Sequence, residues 1–382
     1  MRTTHLSFSL ALLAFLLIWH SSAGAAVVKN VQTGTITMNP ATRTVTVTSV
    51  NTAKTFVICQ SDTGGTNTAS TTRATCELTN STTLTITVSA AVAAQTVRWY
   101  VVEFFSGVSV QRGLTNLAAS LTVAVPIAAV NLAKTFVLTS ERINDGNSNR
   151  DERWTTTAQL TSTTNLQLTR TDSATATSIA WQVIQVESAS VQSGIVTIAI
   201  NQTVATVTLA AANAVDTSRT FLVFTQSGGT AVNGIERYYQ TTGEITNATT
   251  LTFTRAFQNN TANTQVNIAW FAVRMVDGTT VQRGLAGPSG ATGATGTTTM
   301  NAALTAIDTS RSVPIISVRG DAASNASTNL DDTSWEAAFS TPTNLQLTRV
   351  AGNTTNATVA WQVVQFNKAP NRVDGDGREI FP

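Results

Sequence analysis

The residues best equipped for chemistry in this 382-residue chain are acids gathered in loop-like stretches. In "DGNSNRDE", Asp145, Asn147, Asn149 and Asp151 stand at every second position. Oxygen-bearing side chains at that spacing suit a calcium loop. The stretch has Arg150 where such a loop needs glycine, and it lacks the distal glutamate, so the expectation is no cofactor, with calcium as the alternative. Two acid pairs, Asp151–Glu152 and Asp331–Asp332, could be imagined as catalytic carboxylates. Glycoside hydrolysis needs two carboxyls set across a cleft, however, and adjacent acids in a polar loop read as a solvated or ligand-binding face. The only histidines are His5 and His20, both close to the N-terminus, which removes histidine-based triads and histidine-ligated metals from the rest of the chain. No enzyme is expected.

The first 25 residues read as a secretory signal peptide. Arg2 supplies the positive end, Leu6 to Trp19 a short apolar run, and Ala23–Gly24–Ala25 a small-x-small cleavage site. The expectation is an exported protein, extracellular or at the cell surface, with no transmembrane segment after cleavage. Charged residues make up 12% and the net charge is +2, so no basic stripe for nucleic acid is present. The two cysteines, Cys59 and Cys76, cannot make a four-thiolate zinc site and in an oxidising compartment are expected to form a disulfide.

The elements that must carry these loops recur. "AKTF" ends at Phe56 and again at Phe136, "SRTF" at Phe221, and "SRSV" at Val313. Each is followed by a tryptophan in an apolar run: Trp99, Trp181, Trp270 and Trp361. Between them stand Leu84, Leu166, Leu251 and Leu345, and ahead of each come "VQTG", "VQRG", "VQSG" and "VQRG", ending at Gly34, Gly113, Gly194 and Gly284. Four anchors in one order, four times over, define repeats at 26–109, 110–190, 191–280 and 281–370, with 371–382 as a tail or the start of a truncated fifth. Units of this length can hold a core of their own, unlike short solenoid repeats.

Stretches such as "TVTVTSV" and "NLQLTRT" alternate apolar and polar residues, as strands with one wet face do. Turn clusters separate them and no helical period is sustained. The expectation is therefore all-β: four tandem antiparallel sandwiches of about six strands each, strung like beads, with Phe56, Trp99, Phe136, Trp181, Phe221, Trp270 and Trp361 in their cores. Lys54, Lys134, Arg219 and Arg311 occupy one repeat position and imply a common cationic role at a strand end. The stretch after each Phe strand varies most between repeats, and variable loops on a fixed scaffold are where binding usually resides.

The order of a Phe-led strand ("TFVLTS"), a variable stretch, "NLQLTRT" and a closing apolar-x-Trp strand ("IAWQVIQV") resembles the H-type lectin domain. That resemblance implies a six-stranded sandwich and binding of N-acetylgalactosamine-type sugars, with no contact residue transferable by position. The tandem arrangement also resembles repeat proteins secreted by bacteria. The expected function is non-enzymatic: adhesion or spacing at the cell surface through the variable loops, with glycans or cell-surface proteins as partners. Carbohydrate binding, in which Tyr238 and Tyr239 join the loop acids, is the alternative, and self-association into a filament is another.

Overall fold

The computed structural model describes residues 24–63, 73–90, 95–144, 155–228, 239–256, 265–287, 297–320, 333–349, 357–368, 372–373 and 379–380. Nearly all of the expected leader lies outside them. The described elements are strands and short 3-10 turns.

The first repeat contains β1 (Val27–Thr37), β2 (Thr42–Thr46), β3 (Thr55–Ser61), β4 (Ala74–Asn80), β5 (Thr83–Val88) and β6 (Thr96–Ser106). The second contains β7 (Val108–Leu117), β8 (Thr122–Pro126), β9 (Thr135–Ile143), β10 (Thr157–Ser162), β11 (Asn165–Thr169) and β12 (Thr177–Val186). The third has β13 (Ala189–Ile198), β14 (Val204–Thr208), β15 (Thr220–Gly228), β16 (Thr241–Asn247), β17 (Thr250–Arg255) and β18 (Val266–Met275). The fourth has β19 (Thr280–Ala286), β20 (Thr299–Ala303), β21 (Ser312–Gly320), β22 (Glu336–Thr341), β23 (Asn344–Thr348) and β24 (Ala357–Gln365). Two short strands follow, β25 (Arg372–Val373) and β26 (Glu379–Ile380), paired with each other.

Each repeat forms two three-stranded antiparallel sheets of identical topology: the first, sixth and third strands make one (β1-β6-β3) and the second, fifth and fourth the other (β2-β5-β4), and the later repeats follow the same order. The Trp strand is central in the first sheet, flanked by the glycine-bearing strand and the Phe strand. Here the recurring glycine finds its reason. Gly34, Gly113, Gly194 and Gly284 lie directly opposite Trp99, Trp181, Trp270 and Trp361. A Cβ at these glycines would meet the indole at 2.6, 2.5, 3.0 and 2.7 Å, so the ring lies flat over bare backbone. The four tryptophans are 6–9% exposed, and Trp181 donates through Nε1 to Thr115 Oγ1 at 3.0 Å.

The Trp strands are buried on both faces; β12 has the pattern of nine buried residues in ten. On β6, Val97, Trp99 and Val101 pack into the first repeat's own cluster, whereas Tyr100, Val102 and Phe104 enter a second, larger one. On β18, Ile268, Trp270 and Ala272 serve the third repeat's cluster, and Phe271, Val273 and Met275 enter the same larger one. On β24, Trp361 and Val363 serve the fourth repeat's cluster, while Val364 and, just past the strand, Phe366 again enter the larger one. That larger cluster is shared by all four repeats. Phe56 meets Phe136 with centroids 6.4 Å apart, Phe136 meets Phe221 at 5.5 Å, and Phe56 meets Phe366 at 6.0 Å.

Beads on a string are therefore the wrong picture. The repeats close into a ring around a common apolar centre. One hydrogen bond recurs at all four seams: Cys76 N–H donates to Ser140 Oγ, Ala158 N–H to Thr225 Oγ1, Gly243 N–H to Ser317 Oγ, and Ala337 N–H to Gln60 Oε1. The donors are equivalent positions on β4, β10, β16 and β22. The acceptors are the residue four after Phe56, Phe136, Phe221 and Val313. The last bond joins the fourth repeat back to the first. A heterologous contact repeated with rotation either closes or runs on as a filament, and this one closes.

Cys59 and Cys76 form the expected disulfide, tying β3 to β4 across the two sheets of the first repeat. The equivalent cations also share one role. Lys54 donates to Phe105 O, Lys134 to Glu187 O, Arg219 to Asp277 O and Arg311 to Phe366 O. Each covers a carbonyl at the end of its own repeat's Trp strand.

Candidate functional site: the axial cavity

The Phe strands stand around the ring axis, and their axial faces change character along it. The first layer is Phe56, Phe136, Phe221 and Val313, all at most 3% exposed. Two residues on come Ile58, Leu138, Val223 and Ile315. Two further on come Gln60, Ser140, Thr225 and Ser317, the polar residues that hold the seams. Strand alternation keeps all three layers on one face. The apolar layers make the shared core, and the polar layer opens into a cavity of about 310 Å³ lined by all four repeats.

The lining is mostly neutral and hydrogen-bonding. Besides the seam residues it includes Thr139, Gln226, Gln240, Thr241, Thr333 and Ser334, with Phe224 and Trp335 as aromatic surfaces. Gln226 donates through Nε2 to Tyr239 O at 2.7 Å, and its buried Oε1 has no hydrogen-bond partner among the described residues. Among the described lining residues, charge is confined to Glu141 and Arg73. Burial pushes the Glu141 carboxyl up to about 8, against the pull of Arg73, a Thr139 hydrogen bond and the Thr156 backbone. At the seam between the fourth and first repeats, burial pushes Glu336 up to about 7, opposed by the Thr96 hydroxyl and Arg98. Tyr100, whose hydroxyl donates to Ala337 O at 2.7 Å, is raised to about 12, chiefly by burial.

The strands leading into the variable stretches end around this cavity: Ser61, Glu141, Gln226 and Val318 line it, and so do the returning residues Arg73, Thr155, Gln240 and Thr333. The stretches themselves lie outside the described residues, and with them Asp145, Asn147, Asn149, Asp151, Tyr238, Asp331 and Asp332. Tyr239 is described, and it corrects the expectation of an exposed ligand-gripping ring. It is 1% exposed in the third repeat's core, packed on Gly228, where a Cβ would lie 2.4 Å from the ring. Among the described residues no grouping of three histidine, cysteine or acidic side chains could hold a metal. No described helix is long and apolar enough to cross a membrane.

The seam and cavity residues Gln60, Ser140, Thr225 and Ser317 were not singled out from sequence. Their signal was there: the fourth position after each repeat anchor is always polar, although the strand's other axial positions are apolar. No family model matches the chain, and no curated protein matches it at a significant level.

Proposed function

We propose that this is an exported, non-enzymatic binding protein of the cell surface or its surroundings, whose ligand is taken at the axial cavity and the chain segments rooted around it. The observation that carries the reading is convergence: four Phe strands bring their variable ends to one cavity mouth. In this arrangement each pair of sheets acts as a small sandwich, and four similar sandwiches make one composite site. The lining suits a neutral polyhydroxylated ligand such as a glycan terminus. It supplies hydroxyls and amides that both donate and accept, with two aromatic faces, and a volume at the small end of the usual range for ligand sites. Adhesion follows where that glycan sits on a surface. The core shared by all four repeats favours a composite site over the extended spacer, the other half of the primary expectation. A glycan array probed with the purified chain tests the reading. The expected result is binding to a defined set of glycans that Gln226→Ala weakens; an array without signal rejects a carbohydrate ligand.

A further inference from the structure

The junctions between repeats meet at the end of the axis away from the cavity, and the start of the first repeat is built into that end. Ala26 is fully buried and Val28 is 2% exposed, both within the shared cluster. The Val28 amide donates to Asn367 O at 2.9 Å, so the first strand touches the end of the last repeat. The Ala26 nitrogen donates to Ser188 Oγ at 3.0 Å, and the Ser188 hydroxyl donates to Asp277 Oδ2 at 2.6 Å. Ser188 belongs to the junction between the second and third repeats, and Asp277 to the junction between the third and fourth. Gly107, at the first junction, has φ +73°, and a Cβ there would sit 2.5 Å from Ala25 O. Gly24 and Ala25 are exposed. The nitrogen of residue 26 is thus where the chain enters the interior.

Most carboxylates at this end of the axis have an ion-pair partner, and the Arg219 guanidinium also reaches the Asp277 main-chain carbonyl at 3.2 Å. Glu187 pairs with Lys134, Glu103 with Lys29, and Asp216 with Arg219. Asp277 accepts from Ser188 and from the Thr279 amide at 2.8 Å, and has no ion-pair partner among the described residues. A carboxylate one hydroxyl away from the point where the chain goes under is arranged for a cation.

We propose that this cation is the α-ammonium of Ala26, created when the Ala25–Ala26 peptide bond is hydrolysed by the protease that removes the leader. Water adds across the amide. The acyl half departs as the Ala25 carboxylate, and the nitrogen takes up protons to become the ammonium. The residues Ala23–Gly24–Ala25 meet the small-x-small requirement for that cut. A backbone amide has one hydrogen and no charge. An ammonium has three hydrogens and is stable in a buried place only beside an anion. Ser188 accepts the new end and Asp277 balances it, so processing adds an ionic lock between the start of the first repeat and the junctions on either side of the third. The uncut precursor keeps the fold's contacts but lacks the lock.

Two measurements test the proposal. The full-length chain is expressed in a secreting host, and the mature mass is determined. The expected N-terminus is Ala26, and any other start overturns the proposal. Chains beginning at Ala26 and at Gly24 are then released from a removable fusion partner, each with and without Asp277→Asn. The expected result is a drop in thermal midpoint on Asp277→Asn that is several degrees larger in the chain beginning at Ala26. Equal drops in the two chains would show that Asp277 serves only its own turn through Thr279, and would overturn the ionic lock.

Discussion

The four seams of the ring share one hydrogen bond but are otherwise of two kinds. At the seams between the first and second repeats and between the third and fourth, a glutamine amide clasps the neighbour's backbone. Gln182 exchanges two bonds with Val57, N–H and C=O, both at 2.8 Å, and Gln362 does the same with Leu222. Arg112 reaches the Thr52 and Thr55 carbonyls across the first of these seams, and Arg283 reaches the Thr220 carbonyl across the other. Burial lowers both guanidinium groups to about 10. At the other two seams the position after the tryptophan is Tyr100 or Phe271, and the arginine's place is taken by Thr33 or Ser193. The seam between fourth and first repeats relies instead on Gln60, Tyr100 and Glu336. The difference teaches that a four-fold scaffold carries a two-fold pattern. The ring is built of two clasped pairs, and alternate seams are free to differ in chemistry as long as the common bond and the apolar centre persist.

The comparison can be broken most severely at the centre, which belongs to every seam. Phe136→Ala should cost about 3–5 kcal/mol, as truncation of a buried aromatic does. It should lower the denaturant midpoint of the whole ring in one transition. Chemical denaturation showing one repeat lost and three unaffected would restore independent beads. Next comes Gln182→Ala. It strands a buried N–H and C=O of Val57, at about 1–3 kcal/mol for each unsatisfied group. At the same position of a seam without a clasp, Phe271→Leu strands no polar group and should cost about 1–2 kcal/mol of lost packing. Equal losses in thermal melts would erase the distinction between the two kinds of seam. The shared bond should show no such alternation. Ser140→Ala and Ser317→Ala should each lose about 1 kcal/mol, read from the same melts.

The fourth–first seam carries a pH signature in Glu336. Glu336 is 5% exposed, and burial raises its folded pKa to about 7 from an ordinary value near 4.5. Between those values the unfolded chain ionises this carboxyl while the folded ring keeps it protonated, so stability falls as pH rises through the window and levels off above it. Glu336→Gln should flatten that part of the stability–pH profile. An unchanged slope would place its origin elsewhere, with Glu141 the next residue to replace.

Much of this was legible in the residues. The repeat anchors Gly, Phe, Leu and Trp mark strands, and those strands lie where the period-two patterns put them. The cysteine pair declared itself by being the only one. The ring was also written there. On β12, Ile179, Trp181 and Val183 form one apolar face, but Ala180 and Ile184 make the opposite face nearly as apolar. A strand wet on one side does not read so; a strand covered on both sides does. Likewise Tyr238–Tyr239 could be core or ligand-facing by sequence, because a sequence gives residue type and not depth, and the close approach of Tyr239 to Gly228 reveals the latter as core.

By itself the order of amino acids determined the local states: strand alternation, turn chemistry, the identity of the recurring glycine and tryptophan, and the absence of histidine chemistry beyond the first residues. Those are short-range properties, set by each residue and its neighbours along the chain. Only the tertiary structure decided that the second face of each Trp sheet meets three other repeats, that four polar residues some eighty positions apart make one cavity, and that Ala26 lies beside Ser188 and near Asp277. Those contacts depend on the closing rotation between repeats. That rotation is set by summed packing and seam hydrogen bonds across the whole ring, and no single repeat contains it.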